Sequence, residues 1–153
     1  KDSRVGSIGL LALISLLLIQ LASLFKLGNN IHLALTISLF WGRFSSIWAI
    51  SFFPYLQKKN NSGFHQKYWR GFIEESKISL SMLIVILSII SFSRWPISMN
   101  IPLMVVSFLG IIPSIIIPHC LGNFLNGHSG DSYGACVVLV ETFMLFLFSC
   151  IVI

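Results

Sequence analysis

The chain has 153 residues, of which 56% are hydrophobic and 10% are charged, and its formal net charge is +5. Soluble domains carry roughly a quarter charged residues, so this chain has too few polar side chains to cover a compact body in water. Its long apolar runs instead predict a polytopic membrane protein. Lys and Arg beside apolar spans account for the positive charge through membrane topology, and we therefore expect no nucleic-acid partner.

Five apolar runs divide the chain, and a helix needs about 20 such residues to cross the hydrocarbon. We predict an all-α, polytopic transmembrane helical bundle of about five spans, which forms a single integral membrane domain over residues 1–153. The third run is short, and three prolines in the fourth predict a kink or a break there. The predicted spans are Val5 to Phe25, Ile31 to Phe53, Ile78 to Ser93, Ile101 to Leu121 and Gly134 to Ile153.

The distribution of positive charge predicts the orientation of these spans. If they alternate in direction, the amino terminus, the loop Gln57 to Lys77 and the loop Gly122 to Tyr133 share one face. Seven Lys and Arg residues lie on that face and two on the other. Positive residues collect on the cytoplasmic side, so we expect a multi-pass protein of the cell inner membrane whose polar clusters face the cytoplasm.

A basic cluster, Lys1-Asp2-Ser3-Arg4-Val5-Gly6, stands immediately before the first span. Arg binds two phosphate oxygens at once, Lys adds a point charge, and a helix N-terminus presents free N–H groups. The cluster is therefore a candidate phosphate site. The alternative is a cationic membrane anchor in which Asp2 caps the helix.

A second polar cluster, Gly127-His128-Ser129-Gly130-Asp131-Ser132-Tyr133-Gly134-Ala135, leads into the last span. Its glycines allow a ligand to approach the backbone, and Asp131 offers an oxygen ligand for Mg²⁺ or a base for a hydroxyl. The alternative is a plain turn in which Asp131 is the N-cap of the helix. We interpret His128 by itself as a surface residue of the loop.

Two ionisable residues, Arg43 and Glu141, fall inside predicted spans, where burial without a partner is costly. Arg43 is 11 residues from Pro54, and Glu141 is 10 residues from Asp131. At about 1.5 Å per helical residue, both lie roughly 15 Å below the same face. We predict that Arg43 and Glu141 form an intramembrane pair, or that Arg43 reaches a phosphate.

Two other groups of residues give weaker signals. Aromatic residues alternate with cations in the loop from Phe53 to Lys67, which suits a planar base or an anionic lipid surface about equally. The three cysteines lack the spacing of a metal site, and we interpret them as buried small hydrophobic residues. They are Cys120, Cys136 and Cys150.

Three separated segments together resemble the cobalamin synthase family, adenosylcobinamide-GDP ribazoletransferase. Residues 1–6 look like its Lys-Asp-Ser-Arg-x-Gly stretch, and residues 127–135 look like its Gly-x-Thr-Gly-Asp-x-x-Gly-Ala signature, with Ser129 in place of Thr. The central segment is similar in Gly42-Arg43, Phe53-Pro54-Tyr55 and Gly63-Phe64-His65. Val138 stands where many members have Glu, and the family's aspartate-rich segment before the Lys-Asp-Ser-Arg stretch is absent. We therefore expect the C-terminal part of a longer enzyme.

The resemblance implies a membrane-bound transferase that joins adenosylcobinamide-GDP to α-ribazole, or to its 5′-phosphate, and releases GMP. It implies catalytic roles for Asp131, Asp2 and Ser129, with the two aspartates as Mg²⁺ ligands or as the base. The residues that it implies for substrate or phosphate binding are Lys1, Ser3, Arg4, Arg43, Tyr55, Gly127, Gly130 and Gly134.

Two other interpretations are also compatible with the sequence. One is a transporter or channel subunit whose pathway uses Arg43 and Glu141, and the other is an inactive fragment. Further expected partners are membrane lipid and either other copies of the chain or the missing N-terminal part.

Overall fold

The computed structural model describes residues 6–56, 69–92 and 105–151. These residues are mostly helical and contain no β-strand, which confirms the predicted all-α fold. A short helical stretch, residues 105–109, precedes the fourth long helix. The five long helices are α1 (Ser7–Leu27), α2 (Ile31–Phe52), α3 (Phe72–Phe92), α4 (Ile111–Leu125) and α5 (Gly130–Ile151).

Three helical stretches of the described ranges are long and apolar enough to cross a membrane: Gly9–Phe52, Val105–Leu125 and Gly130–Ile151. The first has 44 residues and includes both α1 and α2. A short 3-10 turn, Gly28–Asn30, separates these two helices. Gly28 has a φ of 51°, a left-handed value that glycine adopts without a steric penalty.

Contacts with α5 show that α1 and α2 are two helices that lie side by side rather than one straight helix. A straight helix would separate the Cα atoms of Gln20 and Gly42 by about 33 Å. Instead, Gln20 Nε2 donates to Thr142 Oγ1 at 2.7 Å, and a Cβ on Gly42 would lie 2.7 Å from Cγ of Glu141. Glu141 and Thr142 are neighbours on α5, so the chain reverses direction between α1 and α2.

Helices α2 and α5 form the centre of the bundle. Ile37 and Trp41 of α2 pack in one apolar core with Val140, Met144 and Phe148 of α5, and all five side chains are almost fully buried. Helix α1 is peripheral, because nearly all of its side chains before Ser23 are exposed. Its two half-buried positions in that stretch are Leu16 and Gln20.

The relative positions of α1, α2 and α5 along the bundle bring one end of each helix to the same level. Leu16 and Leu139 line one cleft, and Gln20 bonds to Thr142, so α1 runs parallel to α5 with Ser7 level with Gly130. Helix α2 runs the other way. The start of α1, the end of α2 and the start of α5 therefore share one end of the bundle, which we call the polar end.

Some helix bounds and exposures differ from the predictions. Helix α3 begins at Phe72 rather than Ile78, because its first turn carries charged residues that need not enter hydrocarbon. Helix α5 begins at Gly130 rather than Gly134. Cys136 is buried as predicted, but Cys120 and Cys150 are exposed. That interpretation was wrong for these two cysteines, since their faces of α4 and α5 are not covered by other described helices.

The described part of the fourth span shows no sharp break at its prolines. Residues 105–109 and α4 meet at Gly110, whose φ of −59° and ψ of −21° stay in the right-handed helical region, and Pro118 lies inside α4. The indole of Trp41 packs directly against Gly110 and donates from Nε1 to Ser107 O at 2.6 Å. The core tryptophan thus fixes the junction between residues 105–109 and α4.

Candidate active site

The segment after α2 and the loop before α5 lie side by side at the polar end. His128 N–H donates to Pro54 O at 2.9 Å, and Leu56 N–H donates to His128 O at 2.8 Å. Gly127 has a φ of 140°, and a Cβ there would lie 2.6 Å from Pro54 O. Glycine is therefore required for the two segments to approach this closely. Two of the segments that carry the family resemblance form one structural unit.

His128 stabilises this unit from inside, with its side chain fully buried. Its Nε2 lies 3.0 Å from Pro118 O, and its Nδ1 lies 3.0 Å from Ser132 Oγ. A carbonyl can only accept, so Nε2 carries the proton, and the one hydroxyl proton of Ser132 is shared between Ser129 O, 3.0 Å away, and Nδ1 of the neutral ring. Burial lowers the pKa of His128, and the hydrogen bond to Pro118 O opposes this shift in part.

Aromatic rings enclose the imidazole of His128. Phe53 meets it edge-on with ring centroids 5.2 Å apart, and Tyr133 stacks on it at 5.4 Å. Our interpretation of His128 as a surface residue was wrong. The loop folds back over α4, whose Pro118 carbonyl supplies a buried acceptor that the local sequence does not reveal.

The first turn of α5 is capped by serines. Ser129 N–H donates to Ser132 Oγ at 2.7 Å, and Ser132 N–H donates to Ser129 Oγ at 3.4 Å. This reciprocal arrangement makes Ser129 the N-cap. The alternative in which Asp131 caps the helix was therefore wrong, and the carboxylate of Asp131 is not needed for that purpose.

Asp131 projects from an open face of α5. Its side chain is exposed and makes no hydrogen bond or ion pair with any other described residue. A Cβ added to Gly130 or to Gly134 would meet nothing within 4 Å. Being the first two residues of the helix, Gly130 and Asp131 also present N–H groups without an intrahelical acceptor. This face combines a carboxylate, two N–H donors and open space.

Tyr55 covers one side of the same loop. Its ring stacks on that of Tyr133 with centroids 6.3 Å apart, and Tyr55 is half-buried. The predicted aromatic side chain is therefore at the polar end, near the start of α5. The rest of the aromatic and cationic loop, residues 57–68, lies outside the described residues.

The predicted Mg²⁺ site depends on Asp2 together with Asp131. Asp2, with Lys1, Ser3 and Arg4, lies outside the described residues. Among residues 6–56, 69–92 and 105–151, no three His, Cys, Asp or Glu side chains are grouped so that they could hold a metal ion. The exposed Asp131 carboxylate suits a hard cation but supplies a single protein ligand.

Arg43 and Glu141 lie at the same level of the bundle without direct contact. Glu141 packs over Gly42, and its Oε1 is buried without a hydrogen-bond partner in the described part of the chain. Arg43 is exposed and lines a cleft of about 350 Å³ between α2 and α3. It acts on Glu141 electrostatically, but no nitrogen–oxygen distance of 4.0 Å or less joins them.

The sequence matches a known protein family over almost its whole length. The family described as Cobalamin-5-phosphate synthase matches residues 1–149. The chain is 52% identical, over 99% of its length, to an adenosylcobinamide-GDP ribazoletransferase of Prochlorococcus marinus (strain SARG / CCMP1375). It is 42% identical over 95% of its length to the protein of that name in Prochlorococcus marinus (strain MIT 9313).

A third relative of the same name, from Thermosynechococcus vestitus (strain NIES-2133 / IAM M-273 / BP-1), is 30% identical over 97% of the chain. The chain spans 59%, 57% and 56% of the lengths of these three relatives. No solved structure matches it. Because the family match extends over nearly the whole sequence, the chain belongs to the cobalamin-5-phosphate synthase family.

Proposed function

We propose that the protein containing this chain is an adenosylcobinamide-GDP ribazoletransferase. It joins adenosylcobinamide-GDP to α-ribazole, or to α-ribazole 5′-phosphate, and releases GMP. Membership of the family and relatives of that name support the proposal. The observation that carries it is the convergence of the start of α1, the end of α2 and the start of α5 at the polar end.

The reaction is a phosphoryl-type transfer. A hydroxyl oxygen of ribazole bonds to the phosphorus on the cobinamide side of the pyrophosphate, and the bond from that phosphorus to the bridging oxygen breaks. GMP leaves with the bridging oxygen, and the hydroxyl proton passes to a base. Negative charge develops on the nonbridging and leaving oxygens, so fixed donors and cations accelerate the step.

The open face at the start of α5 offers groups for each of these tasks. The free N–H groups of Gly130 and Asp131 suit phosphate oxygens, as at other helix N-termini. The exposed carboxylate of Asp131 acts as the base or as a Mg²⁺ ligand, and Ser129 contributes a hydroxyl from the N-cap position. Mg²⁺, when bound there, would neutralise charge on the phosphate oxygens.

The basic cluster supplies the cations of the proposed site. Arg4 precedes Ser7 by only two intervening residues, and Ser7 lies level with Gly130 because of the register of α1 on α5. Lys1 and Arg4 therefore bind the pyrophosphate in this proposal, Ser3 adds a hydroxyl and Asp2 shares the metal with Asp131. Tyr55, Gly127 and Gly134 shape the remainder of the site.

We infer that the polar end faces the cytoplasm from the inner membrane, since seven of the positive residues belong to that side of the predicted topology. Large apolar side chains such as Leu17 and Phe25 are exposed on α1, which suits contact with membrane lipid. Association with further copies of the chain, or with the rest of a longer protein, stays a prediction.

The transporter alternative finds no support in the described residues. A pathway through Arg43 and Glu141 requires both side chains to line a common cavity. The cleft that contains Arg43 lies between α2 and α3, whereas Glu141 packs over Gly42 between α2 and α5.

The test uses the protein at its full natural length in membranes. GMP release is measured with adenosylcobinamide-GDP, α-ribazole and Mg²⁺, and with each omitted in turn. We expect Asp131→Ala to lower turnover by roughly 100-fold or more. Glu74→Ala is the matched control, because Glu74 is an exposed acid in the first turn of α3. Undiminished turnover of Asp131→Ala would remove the loop from the mechanism.

A further inference from the structure

Helix α1 is anchored at its C-terminal end, where Leu27 belongs to the hydrophobic core, and before that end it contacts the bundle through a single stripe. From Gly9 to Ala22, Leu16 and Gln20 are half-buried and the other side chains are exposed. Leu16 and Ile19 line an apolar cleft of about 420 Å³ with side chains of α4 and α5. Apolar contacts of this kind do little to fix one register inside a membrane, because lipid tails are as apolar as the side chains they replace.

Gln20 makes a hydrogen bond from α1 to α5, and such a bond depends on direction as well as distance. Its Nε2 donates to Thr142 Oγ1 at 2.7 Å, and Thr142 Oγ1 donates to Val138 O at 2.7 Å. The hydroxyl of Thr142 is thereby used as donor and acceptor, and Thr142 is buried. Ser15, by contrast, bonds only to Leu11 O within α1. An amide left without its partner at this depth has no water to replace it.

We propose that Gln20 is a positioning residue for the active site. Its hydrogen bond to Thr142 fixes the height and rotation of α1 along α5, and so sets the level of Ser7, at the start of α1, relative to Asp131. A slip of one residue would move the start of α1 by about 1.5 Å and rotate it by about 100°. This inference rests on the proposed function, because it concerns the phosphate-binding cluster of that site.

The first test measures turnover of the full-length protein in membranes. Gln20→Leu is expected to lower kcat roughly 10- to 100-fold, since displacements of about 1 Å have effects of this size. The decrease is expected in kcat rather than in KM, because the proposed phosphate-binding groups interact with negative charge that develops only during the transfer. Thr142→Val removes the same bond from the other side and is expected to show a similar loss, whereas Thr142→Ser keeps the hydroxyl and retains activity.

Ser15→Ala is the matched control, because it removes a polar group from α1 without touching another helix. Its kcat is expected to stay at that of the unaltered protein. Should Gln20→Leu fail to accumulate in membranes, Thr142→Val carries the same expectation. A Gln20→Leu protein with unchanged kcat overturns the proposal, as does a Thr142→Ser protein that is as impaired as Thr142→Val.

The second test measures the register of α1 on α5 by cysteine cross-linking, independently of enzyme activity. Cysteines at Leu16 and Leu139, in a background with the native cysteines replaced by alanine, are joined by a short thiol-to-thiol cross-linker. Leu18, on the exposed side of α1, replaces Leu16 in the negative control. Gln20→Leu is expected to reduce the 16–139 product, and an unchanged yield overturns the proposal. This readout remains valid if the unaltered protein releases no GMP, which would instead contradict the proposed function.

Discussion

The two helices whose starts meet at the polar end are held in different ways. The start of α5 is held by backbone hydrogen bonds to Pro54 and Leu56, by the buried ring of His128 and by the serine cap. Helix α1 enters the core only near its C-terminal end, at Leu27, and its preceding part contacts α5 through one stripe and the Gln20 hydrogen bond. Changes near the start of α5 should therefore act on stability, whereas changes in the part of α1 before Ser23 should act on activity with little effect on stability.

The largest loss of stability is expected for Gly127→Ala. The new Cβ would lie 2.6 Å from Pro54 O, at a φ of 140° that side chains rarely adopt. We expect the free energy of unfolding to fall by about 3 kcal/mol or more, through strain and overpacking. Denaturant titration in detergent measures it. Gly134→Ala, where a Cβ meets nothing, is the control and should unfold no more easily than the unaltered protein.

His128→Ala is expected to have the next largest effect. It leaves a cavity between α4 and α5, and removes the ring partner of Pro118 O and one of the partners of Ser132 Oγ. The expected loss is about 2–4 kcal/mol of unfolding free energy. His32 is exposed at the start of α2, so His32→Ala should leave the transition unchanged. Equal transitions for the two variants would contradict a structural role for His128.

The pH dependence of stability should report the same histidine. Burial lowers the pKa of His128 in the folded protein below its ordinary value of 6.5, so the unfolded chain binds the extra proton first. Stability from this group is complete above pH 6.5 and is lost as the pH falls toward the folded pKa. Unfolding midpoints measured from pH 8 to pH 5 should decrease, and His128→Gln should flatten the curve. An unchanged slope in His128→Gln would assign the effect to other groups.

Gln20→Leu should have the smallest effect on stability. Hydrogen bonds between helices inside membranes contribute about 0.6 kcal/mol on average, and the leucine that replaces Gln20 would be compatible with lipid. We expect an unfolding transition within about 1 kcal/mol of that of the unaltered protein, despite the loss of kcat. A large loss of stability would show that α1 is fixed as firmly as α5.

The architecture could be predicted from the sequence because hydrocarbon dictates it. Apolar runs of sufficient length must become helices, and the positions of Gly28 and Pro54 between runs mark where helices end. The start of α3 was missed, since Glu74 and Glu75 interrupt the apolar pattern without interrupting the helix. Helices extend beyond the hydrocarbon, and hydropathy does not measure that extension.

The site was predictable in its segments and less so in its contacts. The density of Gly, Ser and Asp in residues 127–135 identified the loop, but Ser129 and Asp131 are both good N-cap residues and only geometry separates them. The burial of His128 depends on Pro118 O, ten residues away on another helix. No local pattern encodes such a contact. The need for glycine at position 42 likewise follows from its contact with Glu141, which lies far along the chain.

The packing of Glu141 over Gly42 has a consequence for biogenesis. Ribosomes deliver α2 to the bilayer before α5, so the notch left by Gly42 is already in place when the acidic span leaves the translocon. An isolated helix with a carboxyl group near its middle partitions poorly into lipid, whereas one that docks on a waiting neighbour is shielded at once. We therefore expect the order of synthesis to assist the insertion of the span that follows the signature loop.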